Sequence, residues 1–109
     1  MLDLHKIEFR ETSYPGVGIA FLRSDRASGY AAVLIRMEPG CSYPRHRHKG
    51  FEEIFVLEGA FSDELGTYGE GESLRYEDGS VHGPFVPEDG DTCIFYAISQ
   101  EGIDLLDQA

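Results

Sequence analysis

Short apolar stretches, each closed by a glycine- or proline-bearing turn, recur along this whole chain. The clearest cover residues 17–22, 30–37, 51–57 and 92–98, with weaker ones at 7–10, 42–46, 72–76 and 81–86. Between them lie Tyr14-Pro15-Gly16, Glu38-Pro39-Gly40, Gly69-Glu70-Gly71, Asp78-Gly79 and Asp89-Gly90, and the chain carries 13 glycines. Short strands at regular spacing with such punctuation predict an all-β sandwich or barrel. Helix signals are poor, and residues 101–109 are expected to form a turn of helix or a short edge strand. No low-complexity segment or long repeat interrupts the pattern. Gly16-Val17-Gly18 and the glycines from Gly66 to Gly71 are not followed by a helix or a Lys-Ser/Thr pair, so they read as hairpin turns rather than a phosphate loop. No Gly-x-Ser-x-Gly elbow is present either.

The chemistry concentrates in His46-Arg47-His48-Lys49-Gly50-Phe51-Glu52. Residues at i and i+2 share a face only on an extended strand; on a helix they would stand about 200° apart. His46 and His48 can therefore grip one ion only from a strand, and Pro44 favours extended geometry just before them. Residues 51–57 read as the following strand. If Glu52 faces the ion, so do Ile54 and Val56, while Glu53, Phe55 and Leu57 face away. Glu53 is the rival carboxylate, on the opposite face, and Glu52 is preferred. Two chance histidines in a solvated loop would leave the adjoining apolar strand and carboxylate unexplained. A further ligand must come from elsewhere. His5 sits in an unpatterned, charged N-terminus and reads as a surface residue. His82 follows the tight-turn signal Asp78-Gly79-Ser80-Val81 and is well placed to point into a site.

These residues resemble the cupin family. Its first motif is a glycine, five residues, His-x-His, three or four residues, glutamate, six residues and a glycine; Gly40, His46, His48, Glu52 and Gly59 fit every interval. In the second motif Gly71, Gly79 and His82 match, whereas Glu77 stands where proline is usual and Val86 where asparagine is usual. The run from His46 to Gly59, with Phe61-Ser62-Asp63-Glu64 and the short connection to Gly71, is similar to the ChrR-type cupin domain of zinc-dependent anti-sigma factors and free-standing bacterial proteins. The resemblance implies a cupin jelly-roll (RmlC-like) β-barrel or sandwich. It implies one divalent metal ion (Fe, Zn, Mn, Ni, Co or Cu) on His46, His48, Glu52 and His82. It also implies a homodimer. The anti-sigma proteins carry a separate helical zinc domain ahead of the cupin, for which this sequence is expected to leave no room.

With 109 residues, the chain is expected to form a single domain, 1–109, with its metal motifs within 40–86. A chain of this size buries roughly two-thirds of its unfolded surface. No apolar run approaches the roughly 20 residues of a membrane span, and Asp3, His5, Lys6 and Glu8 interrupt any signal peptide; a cytoplasmic location is expected. The formal net charge of −11 argues against nucleic-acid and anionic-membrane partners, which need Lys and Arg. Cys41 and Cys93 are expected as reduced thiols, Cys93 in the core and Cys41 in core or rim packing, with a ligand or redox role for Cys41 left open. Asp63 and Glu64 read as a solvated acidic pair in a loop. Arg45 and Arg47 should point away from the ligands, and Arg36 would reach the cavity and bind an anionic substrate only if its strand parity allowed. The face carrying Phe51, Phe55 and Leu57 is too apolar for open solvent and needs cover from N-terminal strands or a second subunit.

Three imidazoles and a carboxylate suit several first-row metals. On an octahedral ion they leave two positions for a small-molecule ligand or substrate, as a non-haem dioxygenase of a small carbonyl or enol compound requires. On tetrahedral zinc they close the site, as in a non-catalytic sensor resembling the ChrR cupin. Isomerase or epimerase chemistry lacks an evident acid–base pair.

Overall fold

The computed structural model describes residues 3–101 and 103–105. These form eleven strands, a single turn of 3-10 helix at Leu4–Lys6, and no α-helix. The strands are β1 (Arg10–Glu11), β2 (Val17–Asp25), β3 (Tyr30–Met37), β4 (His46–His48), β5 (Glu52–Glu58), β6 (Ala60–Asp63), β7 (Gly66–Gly69), β8 (Ser73–Tyr76), β9 (Val81–His82), β10 (Cys93–Gln100) and β11 (Ile103–Leu105). No helix among the described residues is long and apolar enough to cross a membrane.

One layer is a six-stranded antiparallel sheet in the order β1-β2-β3-β10-β5-β8. Its spine is the pairing of β3 with β10, in register from Met37 opposite Cys93 to Tyr30 opposite Gln100. The opposing layer joins the three-stranded sheet β11-β4-β9 to the hairpin β6–β7, through bridges of Phe85 to both Ser42 and Ser62. Val17, Ile35, Met37, Val56, Cys93 and Phe95 from the first layer meet Phe61 and Val86 from the second. Strand alternation explains the division of faces. Ile54 and Val56 are buried, whereas Glu53 and Phe55 are exposed.

The two ends of this core differ. Large side chains such as Met37, Phe61 and Phe95 fill one end with almost no exposure. Further along the same strands, inward positions shrink to Ala31, Ala97 and Ser99, and a cavity of about 180 Å³ remains between the layers. Gly59 lets β5 turn directly into β6. Its φ is +71°, and a Cβ there would overlap the Thr92 carbonyl oxygen, so both backbone conformation and space call for glycine.

The all-β expectation holds, with differences at the element ends. β2 runs on to Asp25 past a bulge between Phe21 and Arg23, which the polar Arg23-Ser24-Asp25 end does not advertise. Residues 7–10 contribute only Arg10 to a strand; Phe9 instead lies over the outer sheet face beneath the Arg36 guanidinium, 4.7 Å from its ring centroid. The segment 81–86 stops as a strand at His82, because Pro84 two residues on has no amide hydrogen to donate. The segment 42–46 reduces to an isolated bridge at Ser42, and β4 begins at His46. The tail residues 103–105 form an edge strand beside β4, while 102 and 106–109 lie outside the described residues. The acidic pair Asp63-Glu64 has the look of a solvated loop in the sequence; instead Asp63 ends β6 with 8% exposure, and only Glu64 is exposed.

The strand parity of Arg36 takes it to the outer face, where Nη2 donates to Glu11 Oε1 at 3.0 Å, so it does not reach the interior. The N-terminal segment covers the Arg36 end of that face, with His5 3.3 Å from Glu58. Phe55, beyond its reach, remains 43% exposed.

Candidate metal centre

His46 and His48 project inward from β4 with 4% and 1% exposure, while Arg47 between them is exposed. His82 lies directly across from His46 in the β4–β9 pairing. Glu52 reaches in from the first residue of β5 in the opposite layer. One donor atom from each of these four residues lies within 4.8 Å of every other. Glu52 Oε1 is 3.0 Å from His48 Nε2 and 3.9 Å from His82 Nε2. Metal–ligand bonds of about 2.0–2.2 Å put adjacent donors roughly 3 Å apart and opposite donors roughly 4 Å apart, so a cluster with donors within 4.8 Å of one another needs only a slight contraction to form a coordination sphere. Glu53 points outward and accepts from Arg75 Nη1 at 2.6 Å.

The outer nitrogen of each ring is hydrogen-bonded, which turns the other nitrogen inward. His46 Nδ1 donates to the Pro44 carbonyl at 2.8 Å. His48 Nδ1 lies 3.1 Å from the Ser80 hydroxyl. That hydroxyl donates its own proton to the Glu77 carbonyl at 2.6 Å, so it accepts from His48. His82 Nδ1 donates to Asp63 Oδ2 at 3.1 Å. With Nδ1 donating outward, His46 and His82 leave an Nε2 lone pair facing the cluster, as metal-bound histidines do, whereas His48 Nε2 hydrogen-bonds Glu52 Oε1 at 3.0 Å across the space an ion would fill. His82 Nε2 is buried with no hydrogen-bond partner among the described residues. Buried polar atoms are rarely left so, and a cation at the centre of the cluster would satisfy it. The donor set fits a divalent metal.

The turn after β8 serves this arrangement. Gly79 adopts φ +86° at the third position of the Glu77–Ser80 turn, which favours glycine. The turn is docked on β4 by Gly79 N–H to the His48 carbonyl at 2.8 Å and by His48 N–H to the Ser80 carbonyl at 2.9 Å. Glu77 in place of the usual proline thus leaves the turn intact.

Burial pushes the His46 imidazolium down to about 4, against the Pro44 hydrogen bond and with help from the neighbouring histidines. Burial likewise lowers His82, opposed by Asp63 and Glu52. Both rings are neutral near pH 7, as metal ligation requires. Burial would raise Asp63, but hydrogen bonds from Tyr76, the Leu65 amide and His82 outweigh it and hold the carboxyl below its usual range. Burial and then Asp63 raise Tyr76, which stays a phenol donor.

The cavity opens against the cluster. His46, Glu52 and His82 form one side of its wall, and Ile54, Val33 and Ala97 are among the apolar residues completing it. Tyr43 also borders it, its ring edge-on to His46 at 5.4 Å. Cys93 is fully buried in the core, its thiol pushed up to about 12 by burial. Cys41 is half-buried against Gly16 and outside the cluster. Arg45 and Arg47 are exposed, and His5 lies on the surface, as expected.

The model of the ChrR cupin-like domain matches residues 1–100. The chain belongs to this family. It is similar to a chain in the structure of Rhodobacter sphaeroides SigE in complex with the anti-sigma ChrR, with 30% identity and a TM-score of 0.77 over 89% of this chain and 51% of that one. It has the fold of an RmlC-like cupin protein from Ralstonia eutropha JMP134, with TM-score 0.85 and 18% identity over 99% of this chain and 72% of that one. The acetylacetone dioxygenase of Acinetobacter johnsonii shares the fold at TM-score 0.77 and 20% identity, over 85% of this chain and 65% of that one. This chain therefore spans about half of the chain it matches in the SigE–ChrR complex, and under two thirds of the dioxygenase. No curated protein matches it. The jelly-roll, RmlC-like cupin fold expected from the motifs is the fold observed.

Sequence reasoning missed Asp63, Ser80 and the Pro44 carbonyl, which orient the three rings. Pro44 and Ser80 each stand two residues from a motif histidine, the one available signal. Asp63 stands in the Phe61-Ser62-Asp63-Glu64 run, but nothing in that run assigns it a role at the cluster, because its partners Tyr76 and His82 are distant in sequence.

Proposed function

We propose that the chain binds one divalent transition-metal ion through His46, His48, Glu52 and His82, and that it acts on a small carbonyl or enol compound as a non-haem oxygenase. The observation that carries this reading is the apolar cavity of about 180 Å³ opening onto the cluster. A purely structural ion needs no such space. When bound, the ion would supply Lewis acidity and, if it is iron, redox chemistry toward O2. The chain's own part is to position and to exclude water. Ile54, Val33 and Ala97 present a dry wall, and burial keeps the Tyr43 hydroxyl protonated as a donor beside His46. Among the described residues no Lys or Arg borders the cavity, which favours an uncharged ligand held by chelation and apolar contact. The fold shared with a dioxygenase of acetylacetone makes small β-diketones the natural probes.

The test is anaerobic reconstitution with Fe(II), followed by O2-uptake measurements with a series of neutral β-diketones. The reading expects uptake that depends on both iron and diketone. Stoichiometric iron with no uptake across the series would overturn it.

A second reading is favoured by the family match and the 30% identity to the SigE–ChrR structure. Zinc then closes the four-ligand site, and the domain senses or binds without turnover. It expects stoichiometric zinc on purification, destabilisation by chelator, and no redox chemistry; a metal-free protein with the same melting temperature would exclude it. In either reading the exposed Phe55, beside Tyr96 and Ile98 on the uncovered part of the outer sheet face, supports a homodimer. Light scattering on the protein and on Phe55→Glu tests that assignment; a monomer at all concentrations refutes it.

A further inference from the structure

We infer that Asp63 is a positioning residue, whose carboxylate holds His82 in the tautomer that aims a lone pair at His46, His48 and Glu52. The hairpin β6–β7 carries Asp63 out of the solvent and sets it behind His82, its side chain 0% exposed. Four donors surround it. Oδ2 accepts from the Tyr76 hydroxyl at 2.7 Å and from His82 Nδ1 at 3.1 Å. Oδ1 accepts from the Leu65 amide at 2.9 Å and the Tyr68 hydroxyl at 3.3 Å. An ionised carboxylate only accepts, so His82 has one way to meet it, with the proton on Nδ1. Of the three outer partners of the cluster, Asp63 alone brings a formal charge, whereas His46 and His48 lean on a carbonyl and a hydroxyl. A carboxylate behind a ligating imidazole fixes the ring and raises the basicity of its inner nitrogen. The inference rests on the metal reading for the purpose of that lone pair, but the tautomer itself is a property of the metal-free chain.

A simpler role would be to pin the hairpin to β8 through Tyr76. Two substitutions separate the roles. Asp63→Asn keeps the shape but offers one acceptor oxygen where two are needed. With the amide NH2 turned to His82, the imidazole must accept at Nδ1 and carry its proton on Nε2, which blocks ligation. Tyr76→Phe removes the pin and leaves the carboxylate on His82.

Long-range proton–nitrogen correlation spectra of the metal-free protein read the tautomer, and competition with a chromophoric chelator for Zn(II) or Co(II) reads affinity. In the unsubstituted protein and in Tyr76→Phe, His82 is expected as Nδ1–H, with closely similar affinity. In Asp63→Asn, Nε2–H should appear and affinity should fall by about 10–100-fold. An Nε2–H signal from His82 in the unsubstituted protein would overturn the inference without recourse to any variant. So would Asp63→Asn with unchanged tautomer and affinity, or an equal change in both variants. A wild-type chain that takes up no metal would instead defeat the metal reading, and the tautomer spectra would still decide the role of Asp63.

Discussion

Glu52 and Glu53 are neighbours with the same side chain and opposite surroundings. One closes the histidine cluster; the other meets Arg75 in solvent. Strand alternation alone separates them, which is why the amino-acid order suffices to choose between them. Glu52→Gln should lower metal affinity by more than the roughly 10–100-fold typical of losing an outer partner, measured by chelator competition. Glu53→Gln should leave both affinity and melting temperature nearly unchanged, because exposed ion pairs contribute little. His46, His48, Glu52 and His82 were legible for a related reason: each sits at a fixed interval from a glycine or another ligand. Asp63 was not. Ser62-Asp63-Glu64 has the composition of a solvated turn, and its burial arises only when the hairpin folds over His82 and Tyr76, 19 and 13 residues later.

At the scale of elements, the long central strands announced themselves through branched and aromatic residues, which suit a half-buried pleated surface. The hairpin β6–β7 did not, since glycines at both ends of β7 and Asp63 at the end of β6 lower strand propensity. Turn glycines carry a testable cost. Gly59→Ala places a side chain in a left-handed conformation and against the Thr92 carbonyl, so chemical denaturation should show a loss of at least about 1–3 kcal/mol. The small residues on the cavity stretch of β10 make a second prediction. In a filled core Ala97→Val would cost about 1–3 kcal/mol. Here the added methyl groups enter open space beside Ile54 and Val33. Stability should hold or improve in thermal melts while diketone binding, followed by calorimetry, is lost.

The whole molecule links protonation, metal and stability. His46 sits near 4 and His82 is also lowered, against about 6.5 in an unfolded chain. Between those values the unfolded chain binds more protons, so this part of the stability is complete above about 6.5 and drains away as pH falls toward about 4. Each histidine contributes a slope of up to about 1.4 kcal/mol per pH unit. Asp63, also lowered, extends the loss below the ordinary carboxylate range. Melting temperatures of chelator-treated protein, measured from pH 7.5 to 4, should fall along this course; a flat profile would contradict the burial of these rings. Near neutrality, free metal at about 100 times its dissociation constant should add roughly 2.7 kcal/mol, or about 10–20 °C for a domain of this size. The two-layer placement of the ligands has a further consequence. Glu52 belongs to the six-stranded sheet and the three histidines to the layer facing it, so an ion held by all four is a rivet through the sandwich. Prising the layers apart would then require the rivet to come out first. Loaded protein should release its metal at the rate at which it unfolds under denaturant, and hydrogen exchange at β4 and β9 should slow together when the rivet is set.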